Sequence, residues 1–478
     1  MTRPIFFDPT GRRGVLAKRS VAFLILVIVL GAIAFATTLV MVPRQRELEL
    51  PQPRYASASL HRSRGLQGLK AWLPRLHHPA NTTSLSIGFY QPGSDGSFFS
   101  LSRHADQLDW VVPAQINITG ADKSITIADD RRFDAFAARS HHRFRILPMV
   151  QNVSADGWDG EGIAQLLATP VRRAALVRQL ADYSAKHGSA GLVVDFENLP
   201  ENAMPTYLHF LHDLHAALPA DAQLAVTAPA GDPAWPLEAL ARATDKVIVM
   251  AYDEHWQSGS AGPIASQGWY LSQVEDAARR IAPDRLVVAL GSYAYDWHGK
   301  EADALSINEA WLAAHDSNAK PTFDKVSGNA GFAYSVDGSQ HTVWMLDAAT
   351  NWNEMLALGR LGVGNIALWR LGTEDPGYWN DLAALRSGKA PELSRLVSES
   401  GNDVEGSGEI LRITATPVAG ARAVRFDSQH LIRDETYAAL PTPFVVRRSG
   451  AADPKLLALT FDDGPDPQWP PKVRSPRV

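Results

Sequence analysis

Between residues 84 and 371 the chain alternates short apolar runs with longer stretches of helical periodicity. The runs are SLSIGFY (Ser84 to Tyr90), DWVVPAQINI (Asp109 to Ile118), FRILPMV (Phe144 to Val150), GLVVDFE (Gly191 to Glu197), QLAVTAP (Gln223 to Pro229), KVIVMAY (Lys246 to Tyr252), RLVVALGS (Arg285 to Ser292) and NIALWRL (Asn365 to Leu371). Each has the length and the β-branched content of a strand buried on both faces. Between them, stretches such as TPVRRAALVRQLADYSAKHG and PTYLHFLHDLHAALP repeat apolar residues every three or four positions, the spacing of amphipathic helices. This rhythm predicts an α/β fold, a (β/α)8 TIM-type barrel over residues 81–390, with GFAYSV and HTVWML as a small hairpin insertion before the last strand. An open doubly wound sheet is the alternative. It would want a glycine-rich phosphate turn after the first strand, and the sequence has none there.

The flanks follow other patterns. Val21 to Val42 carries no charge and is long enough for a bilayer core, which needs about 20 apolar residues. Arg3, Arg12, Arg13, Lys18 and Arg19 precede it against the single acid Asp8. The positive-inside tendency then makes 1–20 a cytoplasmic tail and 21–42 a single transmembrane helix, with the barrel outside the cytoplasm, periplasmic or extracellular. A cleaved signal peptide, with Ala34-Phe35-Ala36 as its processing site, is the rival reading. Residues 43–80, rich in Arg, Pro, Ser and His, read as a tether. Residues 391–450 read as a linker with a small β element drawn from ILRITATPV and TPFVVRR.

Composition removes several classes of function. The net charge of -5 and charged content of 20% give no basic surface for nucleic acid, so no nucleic-acid partner is expected. With no cysteine there is no disulfide, no thiolate metal site and no cysteine nucleophile.

The fourth run ends in two acids. Alternate side chains of a strand share a face, so Val193, Asp195 and Glu197 point the same way, inward in a barrel, at the end where barrel enzymes keep their chemistry. Two like charges so close disfavour ionising both, and the pair can hold a proton near neutral pH for use as a general acid. Taken alone, a D-x-E pair is served as well by an ion pair and a helix cap.

Further residues bear on that choice. GLVVDFE resembles the strand-four signature of the family-18 glycoside hydrolases, chitinase-like barrels with the pattern D-G-x-D-x-D-x-E. Gly191, Asp195 and Glu197 take the glycine, last aspartate and glutamate places, while Ala190 and Val193 stand where the family has two earlier aspartates. VMAYDEHW resembles the family's M-x-Y-D motif at strand six, with Met250, Tyr252 and Asp253 in the matching places, and NIALWRLGTEDP resembles its eighth strand, with Trp369 at the sugar floor. The resemblance implies substrate-assisted retaining hydrolysis beside an N-acetylated sugar. It gives Glu197 the role of acid and then base, Asp195 and Tyr252 that of holding the substrate's acetamido group, and Asp253 that of supporting the arrangement. Trp369 would stack on the sugar, beside Met250. No cofactor or metal is implied. Because Val193 cannot hydrogen bond, Asp195 is expected to lean permanently toward Glu197, with weakened or pH-shifted activity.

Other signals are weaker. Trp256, Trp269 and Trp297 follow strands six and seven, where sugar stacking and plain packing are both open; Trp256 and Trp297 are taken as substrate-binding candidates. His209, His212 and His215 sit near Asp213 on one predicted helix, but their spacing drifts around it and fits a solvated face better than a metal site. TFDDGPDP (Thr460 to Pro467) resembles the first motif of polysaccharide deacetylases, with Asp462 as base and Asp463 as metal ligand. No His-x-x-x-His follows, so residues 451–478 are expected to be a truncated, inactive start of such a domain. The order of anchor, barrel and deacetylase start resembles bacterial membrane fusions with a family-2 glycosyltransferase, which implies a polysaccharide synthase partner.

The expectation is a membrane-anchored glycosidase acting on an N-acetylglucosamine-containing polysaccharide. The alternative is a non-catalytic carbohydrate-binding barrel in a polysaccharide synthesis or modification system.

Overall fold

The computed structural model describes residues 84–451, apart from the short stretches 120–123, 140–143, 155–156, 300, 337 and 399–401. The apolar helix expected at Val21 to Val42, the tether and the deacetylase-like Asp462 and Asp463 lie outside the described residues. Among the described residues no helix is long and apolar enough to cross a membrane.

All eight apolar runs form strands of one closed barrel. They are β1 (Ser86–Tyr90), β2 (Trp110–Pro113, continued by Ile116–Thr119), β3 (Arg145–Ile146, continued by Met149–Gln151), β4 (Gly191–Asp195), β5 (Gln223–Pro229), β6 (Lys246–Met250), β7 (Leu286–Gly291) and β8 (Ile366–Trp369). Each pairs in parallel with the next, and β8 returns to β1 through Ser86↔Ile366 and Ile87↔Ala367, which closes the ring.

The period-2 geometry of a strand sorts these residues into two layers. Ile87, Phe89, Val112, Met149, Val193, Ala225, Ile248, Val287 and Ala367 fill the barrel interior. Their neighbours Val111, Val150, Leu192, Val194, Leu224, Val226, Val249, Val288 and Leu368 pack outward on the helices. With both faces buried, the strands read as unbroken apolar runs. The helix Pro170–His187 shows the local punctuation: Pro170 opens it and Gly188, at φ 59°, closes it. Gly191 then starts β4 at φ 146°, where a Cβ would lie 1.9 Å from the Gln223 carbonyl oxygen, so only glycine fits.

The expected hairpin is present as Ala330–Val336 against Ser339–Met345. It belongs to a larger insertion between β7 and β8, which also carries the strands Ala294–His298 and Glu301–Leu305 and the helix Ile307–Asp316. Within 391–450 the expected small β element is present, Ile410–Ala415 pairing antiparallel with Phe444–Ser449 in a separate three-stranded sheet, whereas other strands of the expected linker join the insertion. Strands Gly420–Phe426 and Ile432–Ala439 complete the insertion sheet through Thr322↔Thr436.

A buried charge network holds this C-terminal part in place. Arg422, with no exposed side-chain surface, meets Asp375 at 2.6 Å and Glu435 at 3.2 Å, and its Nε donates to the Leu393 carbonyl at 2.7 Å. Asp375 also accepts the backbone N–H groups of Ala348 and Gly377. Tyr437 donates to Asp347 at 2.6 Å, and Asp347 caps the helix Ala348–Arg360. The pattern G-A-R-A-V-R-F thus hides an arginine on the buried side of its strand, where two carboxylates contact it. Arg422→Leu leaves these acids without their cation and is expected to cost about 3–5 kcal/mol, measured by denaturant unfolding at neutral pH.

Candidate active site

The inward parity of β4 continues past its last hydrogen-bonded residue. Asp195 faces the interior and is 2% exposed, while Glu197, two residues on, is half-buried at the C-terminal mouth. Asn198 turns the chain away at φ 56°, and its carbonyl packs over Gly160 so closely that a Cβ there would lie 1.8 Å from the oxygen.

The two acids are held differently. Asp195 accepts hydrogen bonds from Gln151 Nε2 on β3 at 2.8 Å and from Thr227 Oγ1 on β5 at 2.6 Å. Glu197 is fixed through its backbone: Asn152 accepts from its N–H and donates to its carbonyl, both at 2.9 Å. What is corrected is the premise of the expected lean toward Glu197, an Asp195 left without other partners. Both its oxygens are bound by side chains of the neighbouring strands, which supply the donors that Val193 cannot.

Electrostatics follow from this geometry. Desolvation in the mouth, then the charges of Asp195 and Asp253, push Glu197 up to about 8. Burial also raises Asp195, opposed by its bonds from Thr227 and Gln151. Asp253 follows β6 in a left-handed conformation at φ 66°, where its carboxylate accepts hydrogen bonds from Tyr293 and, at 3.1 Å, from Tyr295. Desolvation raises its pKa and these two hydroxyls lower it. Asp253 is exposed by surface area, so water screens much of that shift. Tyr252 is buried beside them; desolvation and then the Asp253 charge raise its phenol well above the ordinary value, so it remains a hydrogen-bond donor at neutral pH.

Aromatic rings line the rest. Trp369, at the end of β8, packs edge-on to Phe89 with centroids 5.3 Å apart. Tyr252, Tyr293, Tyr295 and Trp297 form a chain of edge-to-face contacts at 6.0, 5.3 and 5.4 Å. Met250, Trp369 and Trp344 pack against the same interior cluster as Tyr252 and Val193. The barrel thus brings together Asp195, Glu197, Tyr252, Asp253, Met250 and Trp369. Trp297 joins as a packed member of the chain, only 7% exposed. Trp256 is 54% exposed on the loop after β6 and has no ring contact with this group.

The histidine helix lies elsewhere. His209 and His212 are exposed, and His215 pairs with Asp245 at 3.2 Å. Among the described residues no group of three or more histidine or acidic side chains is placed to hold a metal.

Gln151, Asn152, Thr227, Tyr293 and Tyr295 escaped the sequence reading. A signal existed for most of them. Gln151 and Thr227 occupy inward parity positions, in step with Met149 and Ala225, and a polar residue there must either satisfy another or serve a site.

Comparison with known proteins agrees with this geometry. The sequence model of glycosyl hydrolases family 18 matches residues 83–374. The chain belongs to that family. It is 24% identical over 332 residues to the uncharacterized glycosylase YvbX of Bacillus subtilis (strain 168), covering 65% of this chain and 92% of that protein. It is 22% identical over 251 residues to the cortical fragment-lytic enzyme of Bacillus anthracis, covering 49% of this chain and 58% of that protein. Among solved structures, the chitinase from Chromobacterium violaceum shares 25% identity and a TM-score of 0.58, over 64% of this chain and 99% of that one. The spore cortex-lytic enzyme SleL of Bacillus cereus shares the fold at 20% identity and a TM-score of 0.56, over 63% of this chain and 74% of that one.

In this family member Asn152 is the backbone clamp of the mouth. Asn152→Ala leaves the Glu197 N–H and carbonyl without their partner and is expected to lower stability by about 1–3 kcal/mol, read from the shift in the urea midpoint.

Proposed function

We propose that the chain is a glycosidase that cleaves β-linked N-acetylglucosamine-containing polysaccharide by substrate-assisted retaining hydrolysis. In this reading its N-terminal apolar segment anchors it in a membrane, with the barrel outside the cytoplasm. The observation that carries the proposal is the placement of Glu197, whose carboxyl is pushed up to about 8 beside an anchored Asp195 and close enough to Tyr252 for its charge to act on that phenol.

Each group then has a task. Trp369 offers an apolar ring under the sugar. Glu197 gives its proton to the glycosidic oxygen as the bond to the anomeric carbon breaks, and the substrate's acetamido oxygen closes on that carbon. Asp195 faces the positive charge that develops on the acetamido group, and the Tyr252 hydroxyl supports its oxygen. Glu197, now a carboxylate, takes a proton from the water that opens the ring, which restores both the acid and the retained configuration.

A fluorogenic N-acetylglucosamine oligosaccharide tests the reading. Glu197→Gln is expected to lower kcat about 10²–10⁴-fold, and equal turnover by both forms would remove the enzyme reading in favour of a sugar-binding barrel. Because the acid form is the active one, kcat/KM of the unsubstituted chain is expected to fall as pH rises through about 8, a limb visible in a pH-rate profile.

A further inference from the structure

The hydrogen bonds around Asp195 carry a consequence that rests on the glycosidase reading and deepens it. We propose that Gln151 and Thr227 are positioning residues that hold Asp195 as a fixed anion, so that Glu197 alone carries the exchangeable proton.

The register of the barrel makes the anchor rigid. Gln151 lies directly opposite Asp195 in the β3–β4 ladder, and Thr227 follows Val226, the residue opposite Val194 in the β4–β5 ladder. Both donors therefore stand on strands, one on each side of β4, and both are buried. A carboxylate held from two sides cannot rotate without losing a charge-assisted bond, and Val193 below it offers no replacement.

The donors also decide which acid is neutral. An amide nitrogen only donates, so Gln151 Nε2 requires a lone pair on Asp195 Oδ2. Thr227 could accept from a protonated Oδ1, but its own hydroxyl would then have only the Val194 carbonyl at 3.4 Å in place of the 2.6 Å bond it now makes. Glu197 has no such constraint: its anchor is to backbone atoms, and no side-chain donor reaches its carboxyl among the described residues.

The other ionisable groups facing the pair reinforce this division. They are Asp253 and Tyr252 after β6, Tyr295 beyond β7, and Tyr207 on the outer helix Met204–Ala217. None is a cation. A second negative charge on Glu197 would meet Asp195 and Asp253 unrelieved, whereas Asp195 has two donors.

The test uses the full-length chain, a fluorogenic N-acetylglucosamine oligosaccharide, and kcat and KM measured across the pH range for Gln151→Leu, Thr227→Val and Thr227→Ser. Loss of either donor is expected to lower kcat about tenfold with little change in KM, and to move the acidic limb of the profile upward, because Asp195 then ionises less readily. Thr227→Ser, which keeps the hydroxyl, is expected to restore both. Uniform loss at every pH with the acidic limb unmoved would mean a purely structural role and would overturn the proposal.

Infrared titration of the carboxyl bands gives a second readout that needs no turnover. In the unsubstituted chain the protonated band that disappears as pH rises through about 8 should be the one removed by Glu197→Gln. A protonated band assigned to Asp195 by its loss in Asp195→Asn would sink the inference. No turnover of the oligosaccharide by the unsubstituted chain would sink the glycosidase reading alone, and the infrared result would still decide this one.

Discussion

A carboxylate enclosed by a closed sheet must find either hydrogen-bond donors or a proton, because water is too scarce at that depth to solvate its charge. The mouth of this barrel applies both solutions within three residues. Asp195 receives donors from the strands on either side, and Glu197 receives none and is driven to its neutral form. The chemistry assigned to the site follows from that unequal treatment of two otherwise similar side chains.

The unequal treatment depends on the barrel's alternation. Val193 fills the interior with a branched apolar group, Asp195 opens the polar layer above it, and Glu197 reaches the rim. The same step of two places Ile248, Met250 and, just past the end of β6, Tyr252 one above another, and Ala367 and Trp369 on β8. The site is thus the top layer of a stack whose lower layers are ordinary core. Strands fixed by their neighbours hold Asp195 and its donors, while Glu197, Tyr252 and Asp253 stand just past the strand ends and Trp256 on an exposed loop.

The eight strands were legible because a strand buried on both faces leaves an uninterrupted apolar signature, and the acids were legible because they interrupt it at its end. What lay hidden was cross-strand information. The neighbours of Asp195 along its own strand are Val193 and Glu197, which suggested a lean toward Glu197; its actual partners, Gln151 and Thr227, are 44 and 32 residues away. Only the register between strands brings them near. Arg422 is a similar case, since its partners Asp375 and Glu435 stand 47 and 13 residues off. Tyr293 and Tyr295 lie just beyond the apolar run of β7, where the inward alternation continues past the end of the strand.

The Arg422 network also bears on how such a barrel travels between proteins. A catalytic module joined to new neighbours by recombination keeps its function only if the crossover spares its internal contacts, and here those contacts bind the loop after β8 to strands some tens of residues further on. The heritable unit is consequently larger than the eightfold repeat, and a seam placed soon after the last barrel helix would part Asp375 from the arginine that neutralises it.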